Sequence, residues 1–460
     1  MEWIPDLERF VLEKMASTKL SAVSMACVSN GEVIYKRGFG LKNRELGLAA
    51  TPATNYCIGS VTKSFTCLAL MQLQERGLLN VDDPVELYLP LQVRPSGEPI
   101  RLRHLMSHSS GLPALAYLEN LLRYHHGAVD RYLPIGGISD MLEFCNSASD
   151  WVESQPGERW FYLNEGYVIL GAVIEKVSGV AYRDYVRENI LLPLGMQRSY
   201  HSRELFVQDP DTAVPYALNA EGRHLPREYP WGQAEPDGGL ISNAEDMAKY
   251  VNMYLSGGTC QYGRIISAES LNAMTQKIVR TPPEDVVSGE PVSYYGFGLQ
   301  TQDLFSRQAI GHSGSMFVAT CGMRFIPEEG VGVVVHANGS GYPPITMADY
   351  ALARMLGEEP LSVPSIRIEK ILEELTGHYD TYRGTYSCTV RKKGDYLMLE
   401  YSSNYGTDST VLVPVELGPE HSRFHVYMSG RRHTAEFFHR GEHVELLNER
   451  YKYRRVGRLT

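Results

Sequence analysis

The spacing of hydrophobic residues predicts where strands and helices lie in the first three quarters of the chain. Behind Pro5, apolar residues recur at helical spacing and predict an amphipathic first helix. Two β-rich runs, 22–28 and 32–39, are joined through Ser29-Asn30-Gly31, which is typical of a β-hairpin. Three further β-rich runs close this region: 296–301, 316–326 and 332–336. Strands at both ends with helices between them predict an antiparallel sheet that unites the ends of one α+β domain.

The segment that follows the first hairpin predicts a buried central helix. No residue from Ser60 to Arg76 breaks a helix, and Gly77 tolerates the left-handed conformation that ends one. Apolar residues fall on nearly every face of the segment: Val61, Phe65, Cys67, Leu68, Ala69, Leu70, Met71 and Leu73. A helix that is apolar all round is expected in the core of the domain.

The hydrophobic period changes to two beyond Gly377, which predicts a second domain. Residues 358–376 are predicted as a linker that contains a short amphipathic helix over 366–375. Short alternating runs follow: 384–391, 396–401, 410–415, 424–428, 433–438, 443–447 and 451–456. This spacing is typical of a small antiparallel barrel. We therefore predict an α+β domain over 1–357, a linker over 358–376 and a barrel over 377–460.

Composition and charge narrow the classes of partner. The 460 residues are 43% hydrophobic and 21% charged, as in an ordinary globular protein. The net charge is -10, without a long run of either sign, which argues against nucleic acid or an anionic membrane as the main partner. The first helix lacks a signal-peptide core, and no stretch approaches the ~18 apolar residues of a membrane span. We therefore expect a cytoplasmic protein.

Seven cysteines without a C-x-x-C pair indicate reduced, mostly buried thiols rather than a disulfide framework or a zinc site. Cys57 and Cys67 flank the start of the central helix, so a thiol nucleophile is an alternative there, although nothing else supports it. His104 and His108 lie four residues apart and could face one metal ion. Without a third candidate ligand nearby, core or loop histidines are favoured, and we expect neither a metal nor another cofactor.

Ser60 and Lys63 form the first candidate for catalysis. A serine at the start of a buried helix has its N–H among the unpaired donors, where the helix dipole favours developing negative charge. Lys63 lies on the same face as Ser60. Because burial and the helix N-terminus both penalise an ammonium group, we expect Lys63 to be partly neutral and able to take the serine proton. By itself, Ser-x-x-Lys is a weak pattern that is common on ordinary helices.

A second candidate lies before another apolar helix, predicted over 168–177. Tyr162 and Asn164 are two residues apart, so both side chains can face one cleft. The structural alternative is that Tyr162 packs in the core and Asn164 caps the helix. His312-Ser313-Gly314 stands before the β-rich run 316–326 and supplies a third polar group.

The three patterns in this order resemble those of the penicillin-recognising serine hydrolases, and most closely the class C β-lactamase-like branch. The segments 105–113 and 238–242 add to the resemblance, which covers residues 20–355. It implies a β-lactamase/transpeptidase-like fold, an antiparallel sheet flanked by helices with a helical subdomain. It also implies that Ser60 is acylated, that Lys63 is its base and that Tyr162 shuttles protons. Asn164 would orient the lysine and the substrate.

The same resemblance assigns the oxyanion to the backbone N–H groups of Ser60 and Ser315, with Gly314 beside the substrate. At one position the chain departs from the family's pattern, and this difference affects the expected substrate. Where β-lactamases and transpeptidases usually have Lys-Thr-Gly, this chain has His312-Ser313-Gly314. A neutral imidazole holds a carboxylate poorly, which favours the peptidases and esterases of the branch over β-lactam hydrolysis.

The predicted barrel points to one group within this branch. In position and size it resembles the lipocalin-like barrel of the archaeal self-compartmentalising serine peptidases of the CubicO group. This implies a third catalytic role for His312, cleavage of short peptides including ones with D-amino acids, and assembly into a closed homo-oligomer such as an octamer. Structural alternatives for the barrel are a lid or a binder of a small ligand. Its basic end, 451–458, could bind nucleic acid, although a solvated face or a contact to an acidic neighbour is favoured.

Two rival functions remain at this point. An esterase would use the same serine chemistry on a different acyl group. A binding or sensor protein would keep the fold without turnover.

Overall fold

The two ends of the α+β region meet in one antiparallel sheet, as the sequence predicts. In the computed structural model, which describes residues 1–232, 234–282, 289 and 291–459, strand Ala22–Ser29 pairs with Glu32–Asn43 on one side and with Val331–Ala337 on the other. Asn30 and Gly31 form the turn of the hairpin, both with positive φ. The chain divides into two units: Met1–Pro282 with Val292–Gly357 form the first, and the chain from Glu358 onward belongs to the second.

The strands of the first unit belong to one large sheet and three short pairs. In chain order they are β1 (Ala22–Ser29), β2 (Glu32–Asn43), β3 (Leu48–Ala49), β4 (Tyr56–Cys57), β5 (Tyr216–Leu218), β6 (His224–Pro226), β7 (Ile241–Ser242), β8 (Thr259–Cys260), β9 (Gly263–Arg264), β10 (Val279–Arg280), β11 (Ser293–Tyr295), β12 (Gln300–Leu304), β13 (Arg307–Ser315), β14 (Thr320–Ile326) and β15 (Val331–Ala337). Within the described part of the chain, the large sheet has the order β10-β11-β12-β13-β14-β15-β1-β2-β3. The pairs are β4 with β7, β5 with β6, and β8 with β9.

The helices of the first unit pack on both faces of the sheet. They are α1 (Ile4–Thr18), α2 (Thr62–Glu75), α3 (Leu102–Met106), α4 (Tyr117–His125), α5 (Ile138–Asn146), α6 (Asn164–Ser178), α7 (Tyr182–Val186), α8 (Arg203–Gln208), α9 (Glu235–Gly238), α10 (Ala244–Leu255), α11 (Ala268–Met274) and α12 (Pro344–Leu356). Gly322 of β14 abuts the start of α12, whereas Phe325, three residues on, stacks on Tyr254 of α10. Since side chains alternate across a strand, α12 and α10 cover opposite faces.

The central helix is buried as predicted, but it begins later than predicted. Residues Gly59–Val61 form a 3-10 turn, and α2 starts at Thr62. Ser60 therefore lies in the turn that leads into the helix. Every residue from Thr62 to Leu73 is buried, and Gly77 has the expected positive φ. The helix thus buries Lys63 completely, while Ser60, in the turn before it, remains only partly buried.

The second unit is a helix followed by a closed antiparallel barrel, which confirms the predicted barrel. Its elements are α13 (Pro364–Glu374), β16 (Gly377–Asp380), β17 (Ser387–Lys393), β18 (Tyr396–Ser403), β19 (Gly406–Leu417), β20 (His421–Met428), β21 (Arg431–Arg440), β22 (His443–Asn448) and β23 (Tyr451–Gly457). The pattern of hydrophobic residues did not predict β16, which has only four residues. This short strand closes the barrel because it pairs with both β17 and β23.

Buried side chains fill the interior of the barrel. Ile371, Leu372 and Leu375 from the region of α13 join a core that includes Leu399, Phe424, Phe437 and Tyr453. The barrel therefore has a hydrophobic core of its own, unlike a ligand-binding barrel with an open lumen. This packing does not support the alternative that the barrel binds a small ligand.

Candidate active site

Lys63 is the best-connected side chain of the site. Its Nζ donates to Ser60 Oγ at 3.0 Å and to the backbone carbonyl of Asp237 at 3.1 Å. It also pairs with the carboxylate of Asp237, and Lys63 is fully buried. An ammonium group has three N–H donors, and these three acceptors use all of them. The resting site thus contains a saturated ion pair beside the candidate nucleophile.

The expectation that Lys63 is partly neutral is wrong for this resting arrangement. Burial alone would lower the pKa of Lys63, as the sequence argument assumed. The charge of Asp237 outweighs this effect, with a further contribution from Tyr162, so that the pKa of Lys63 is raised. The counter-ion was not evident from the sequence, because Asp237 lies 174 positions further along the chain.

Asp237 reaches Lys63 from the short helix α9. Thr66 of α2 donates to the carbonyl of Pro236 at 2.6 Å, and this bond fixes α9 against the central helix. In the sequence, Asp237 lies directly before the segment 238–242 and outside the candidate patterns. The only sequence signal for Asp237 is an acidic residue directly before Gly238-Gly239, in a segment whose last residues are buried.

Two glycines allow the end of β13 to approach the turn that carries Ser60. A Cβ on Gly314 would lie 1.9 Å from the carbonyl oxygen of Ile58, so no other residue fits there. Gly59 has φ +54, and a Cβ there would lie 2.6 Å from the backbone N of Ser315. The proposed oxyanion donors, the N–H groups of Ser60 and Ser315, therefore lie on two backbone segments in direct contact. Gly314 serves this approach.

His312, Gly314 and Ser315 lie within strand β13, not before a strand as predicted. The predicted run 316–326 is interrupted by a turn in which Met316 N–H donates to the carbonyl of Ala319, and β14 begins only at Thr320. Gly311 and Gly314 interrupt the alternation of hydrophobic residues, so the pattern did not predict β13. They are tolerated because both sit against neighbouring backbone, where a Cβ would collide.

His312 is held between two partners. Its Nδ1 lies 2.5 Å from the carbonyl oxygen of Ser313, which can only accept, so Nδ1 carries the proton. Its Nε2 therefore accepts from the hydroxyl of Tyr295 at 2.8 Å. Burial and the nearby charge of Lys63 lower the pKa of His312 to about 3. The imidazole is neutral, as the sequence predicts, and Tyr295 is a partner that the sequence did not indicate.

Tyr162 lies in the same cleft. Lys63 Nζ is 4.8 Å from the centre of its ring, and the ring of His108 lies 4.0 Å away, centre to centre. Burial raises the pKa of Tyr162, while the positive charge of Lys63 opposes the rise. The structure thus brings Ser60, Lys63 and Tyr162 together.

Asn164 is the predicted residue with a different neighbour. It is the first residue of α6 rather than its cap, and its amide N donates to Glu119 Oε1 at 2.7 Å. Its Oδ1 is buried and has no hydrogen-bond partner among the described residues. Burial raises the pKa of Glu119. Asn164 is therefore held by a carboxylate that the sequence did not predict, and its carbonyl oxygen remains unused.

The other polar candidates have structural roles in the described residues. His104 Nδ1 accepts from the backbone N–H of Arg101 at 3.1 Å, and His108 Nδ1 accepts from that of Leu163 at 3.0 Å. Burial raises the pKa of Cys57 and of Cys67 to about 12, so neither thiol ionises readily. Neither cysteine suits the role of nucleophile.

Comparison with known proteins identifies the class. Residues 7–356 match the Beta-lactamase family, and residues 360–454 match the Pab87 octamerisation domain. The chain therefore belongs to the β-lactamase family, whose fold is that of serine hydrolases, and the resemblance found from the motifs is confirmed. No helix of the described residues is both long and apolar enough to cross a bilayer.

Particular relatives refine the picture. The octameric penicillin-binding protein homologue from Pyrococcus abyssi is 40% identical, with a TM-score of 0.92 over 98% of this chain and 100% of that one. Protein flp of Staphylococcus aureus (strain MW2) is 24% identical over 71% of this chain, and Penicillin-binding protein 4* of Bacillus subtilis (strain 168) is 32% identical over 39%. The matches span only 61% and 38% of these two proteins. The barrel match and the octameric relative support self-association into a homo-oligomer.

Proposed function

We propose that the protein is a serine peptidase that cleaves short peptides, including ones with D-amino acids, through an acyl-enzyme on Ser60. The observation that carries the proposal is the contact of Lys63 with both Ser60 and Asp237, beside Tyr162. His312 in place of a lysine favours a peptide over a β-lactam as substrate, since a neutral imidazole offers no fixed cation. Gly314 and Ser315 form the edge along which the substrate lies.

Acylation begins with removal of the Ser60 proton. Because the resting Lys63 is an ammonium group, it must first lose a proton, and the acceptor in contact with it is Asp237. Burial penalises both charges of the pair, which brings the neutral form, with the proton on Asp237, closer in free energy than it is in water. The freed lone pair of Lys63 then accepts the hydroxyl proton of Ser60. The serine oxygen attacks the carbonyl carbon while the N–H groups of Ser60 and Ser315 hold the oxyanion.

Collapse of the tetrahedral intermediate breaks the bond to the leaving amine, which needs a proton. Tyr162, whose ring lies beside Lys63, can deliver it and recover one from Lys63. The same route in reverse activates the water that deacylates the enzyme. For His312 a hydrogen-bonding role through Tyr295 suits its pKa of about 3 better than storage of a proton.

Substrate class is tested by turnover of matched compounds. We expect measurable kcat/KM for alanine tri- and tetrapeptides of D or L configuration, and for a p-nitrophenyl ester as an activated reference. Hydrolysis of the ester with no peptide cleavage by liquid chromatography would assign the protein to the esterases instead. An acyl-enzyme that forms but never clears, seen by intact mass, would favour a sensor.

Assembly is tested by multi-angle light scattering. We propose a closed octamer, on the strength of the barrel match and the octameric relative. The expected mass is therefore about eight times the 51.6 kDa of one chain. A particle of 51.6 kDa with full peptidase activity would remove both the octamer and the idea of an enclosed site.

A further inference from the structure

A second cavity in the first unit has a basic wall. Its volume is about 490 Å³, and its lining comes from the ends of α1 and α4, the β5–β6 hairpin, the turn after β13 and the segment after β15. Among the described lining residues, the cationic side chains are those of Lys19, Arg123 and Arg227, and the other ionisable residues are Tyr216, His126 and His224. Neither aspartate nor glutamate occurs in that described lining. The cavity therefore favours a negatively charged occupant.

Two nitrogen atoms in this wall are buried and unpaired among the described residues. Arg227 donates one Nη to the carbonyl of Pro226 at 3.1 Å, but its Nε has no partner. His126 donates from Nε2 to the carbonyl of Met316 at 3.1 Å, so its buried and unpaired Nδ1 is an acceptor and leaves Arg227 as the donor. Burial lowers the pKa of His126, and the charges of His125 and Arg227 add to the effect. A buried N–H without an acceptor is costly, so a ligand that accepts from Arg227 would stabilise this arrangement.

The acidic residues next to the cavity in sequence face other cations. Glu221 pairs with Arg223 at 3.6 Å, and Glu228 pairs with Arg203 at 3.7 Å. In the part of the chain that the structure describes, no ion pair involves Arg123 or Arg227. The ion pairs of the described residues therefore leave the charges of Arg123 and Arg227 without a counter-ion.

The cavity shares one wall with the candidate active site. Ser315, whose N–H is a proposed oxyanion donor, is followed by the Met316–Ala319 turn, and Phe317 of that turn lines the cavity. His126 holds the same turn through the carbonyl of Met316. A peptide that lies along β13 and continues past Ser315 therefore reaches the basic wall.

We propose that this cavity binds a carboxylate of the peptide substrate, with Arg227 as the main partner and Arg123 and Lys19 supplying attraction. Nε and the second Nη of a guanidinium group match the two oxygens of a carboxylate. The proposal rests on the proposed peptidase function and adds a preference to it. The carboxylate is that of the peptide C-terminus or of an acidic side chain, and the test separates these sources.

Binding is measured by isothermal titration calorimetry in Ser60→Ala, so that no turnover occurs. The probes are alanine tetrapeptide with a free C-terminus, its C-terminal amide, and a tetrapeptide amide that ends in glutamate. We expect the free acid, the glutamate amide or both to bind at least about tenfold more tightly than the alanine amide, as loss of a charge-assisted hydrogen bond implies. Adding Arg227→Gln is expected to abolish this preference, whereas Arg223→Gln, an exposed arginine of the same hairpin outside the cavity, keeps it.

The outcomes separate the two proposals. Equal binding of all three peptides, or a preference that survives Arg227→Gln with an unchanged melting temperature, overturns the carboxylate site. Arg123→Gln is a second variant at the exposed rim in case Arg227→Gln does not fold. If the parent protein cleaves none of the peptides, the peptidase function fails while the binding preference still decides the site. Displacement of the acid by inorganic phosphate, without any preference over the amide, would indicate a general anion site and overturn the assignment to substrate.

Discussion

Replacement of Ser60 by alanine is expected to lower kcat/KM for peptides and esters by at least about a thousandfold, because no acyl-enzyme can form. The same change should abolish labelling by a fluorophosphonate, which intact mass and peptide mapping detect. Ser60 is the only oxygen acceptor of Lys63 besides those of Asp237 among the described hydrogen bonds. The alanine should therefore leave the fold and the Lys63–Asp237 pair in place.

Ser64, one turn along the central helix, provides the control. Its hydroxyl donates to the carbonyl of Val61 at 2.8 Å and accepts from Tyr250 at 3.0 Å, so it is buried and engaged. Ser64→Ala should retain the label on Ser60 and lose only stability. If the label persists in Ser60→Ala, the nucleophile is another residue.

The second large effect is expected at Asp237. Asp237→Asn removes the proton acceptor of the resting ion pair, and kcat/KM at pH 7 should fall about a hundredfold, the scale of general base catalysis. The sign of the pH dependence follows from Lys63. In the parent its pKa is raised, so the pair keeps its proton across the neutral range and the profile is flat. Without the carboxylate, burial lowers the pKa of Lys63. Activity should then climb about tenfold per pH unit until Lys63 is neutral.

Glu235→Gln is the matched control for this profile. Glu235 lies in the same short helix and pairs with Arg183 at 3.8 Å, away from Lys63. It should leave the pH dependence of kcat/KM unchanged. A flat profile with parental activity in Asp237→Asn would show that the carboxylate takes no proton, and a loss of equal size at every pH would indicate a structural role instead.

The sequence predicted those parts of the molecule that depend on local pattern. The buried helix, the first hairpin and the antiparallel barrel follow from periodicity and from turn residues such as Asn30-Gly31. The motif residues Ser60, Lys63 and Tyr162 lie in one cleft. This was predictable because the patterns occur in the order typical of the family, whose fold brings them together. Their catalytic roles remain predictions that the variants above test.

What the sequence did not predict depends on contacts between distant segments. Asp237 has no periodic or motif signal that connects it to Lys63, and without it the charge of the lysine was misjudged. Tyr295 and Glu119 likewise act on His312 and Asn164 from other parts of the chain. Strand β13 was missed for a related reason. Its glycines are required by close contacts with neighbouring backbone, and these contacts exist only in the folded structure.

The pairing of β1 with β15 also has a consequence for how the chain folds. Val23 lies opposite Ala337, so β1 is synthesised more than three hundred residues before its partner β15. Until then, a strand with six apolar residues out of eight has an open edge. Such non-local pairing slows folding and exposes the nascent chain to aggregation. Refolding yield should therefore depend on protein concentration more steeply for this unit than for the barrel, whose strands pair mostly with their neighbours in sequence.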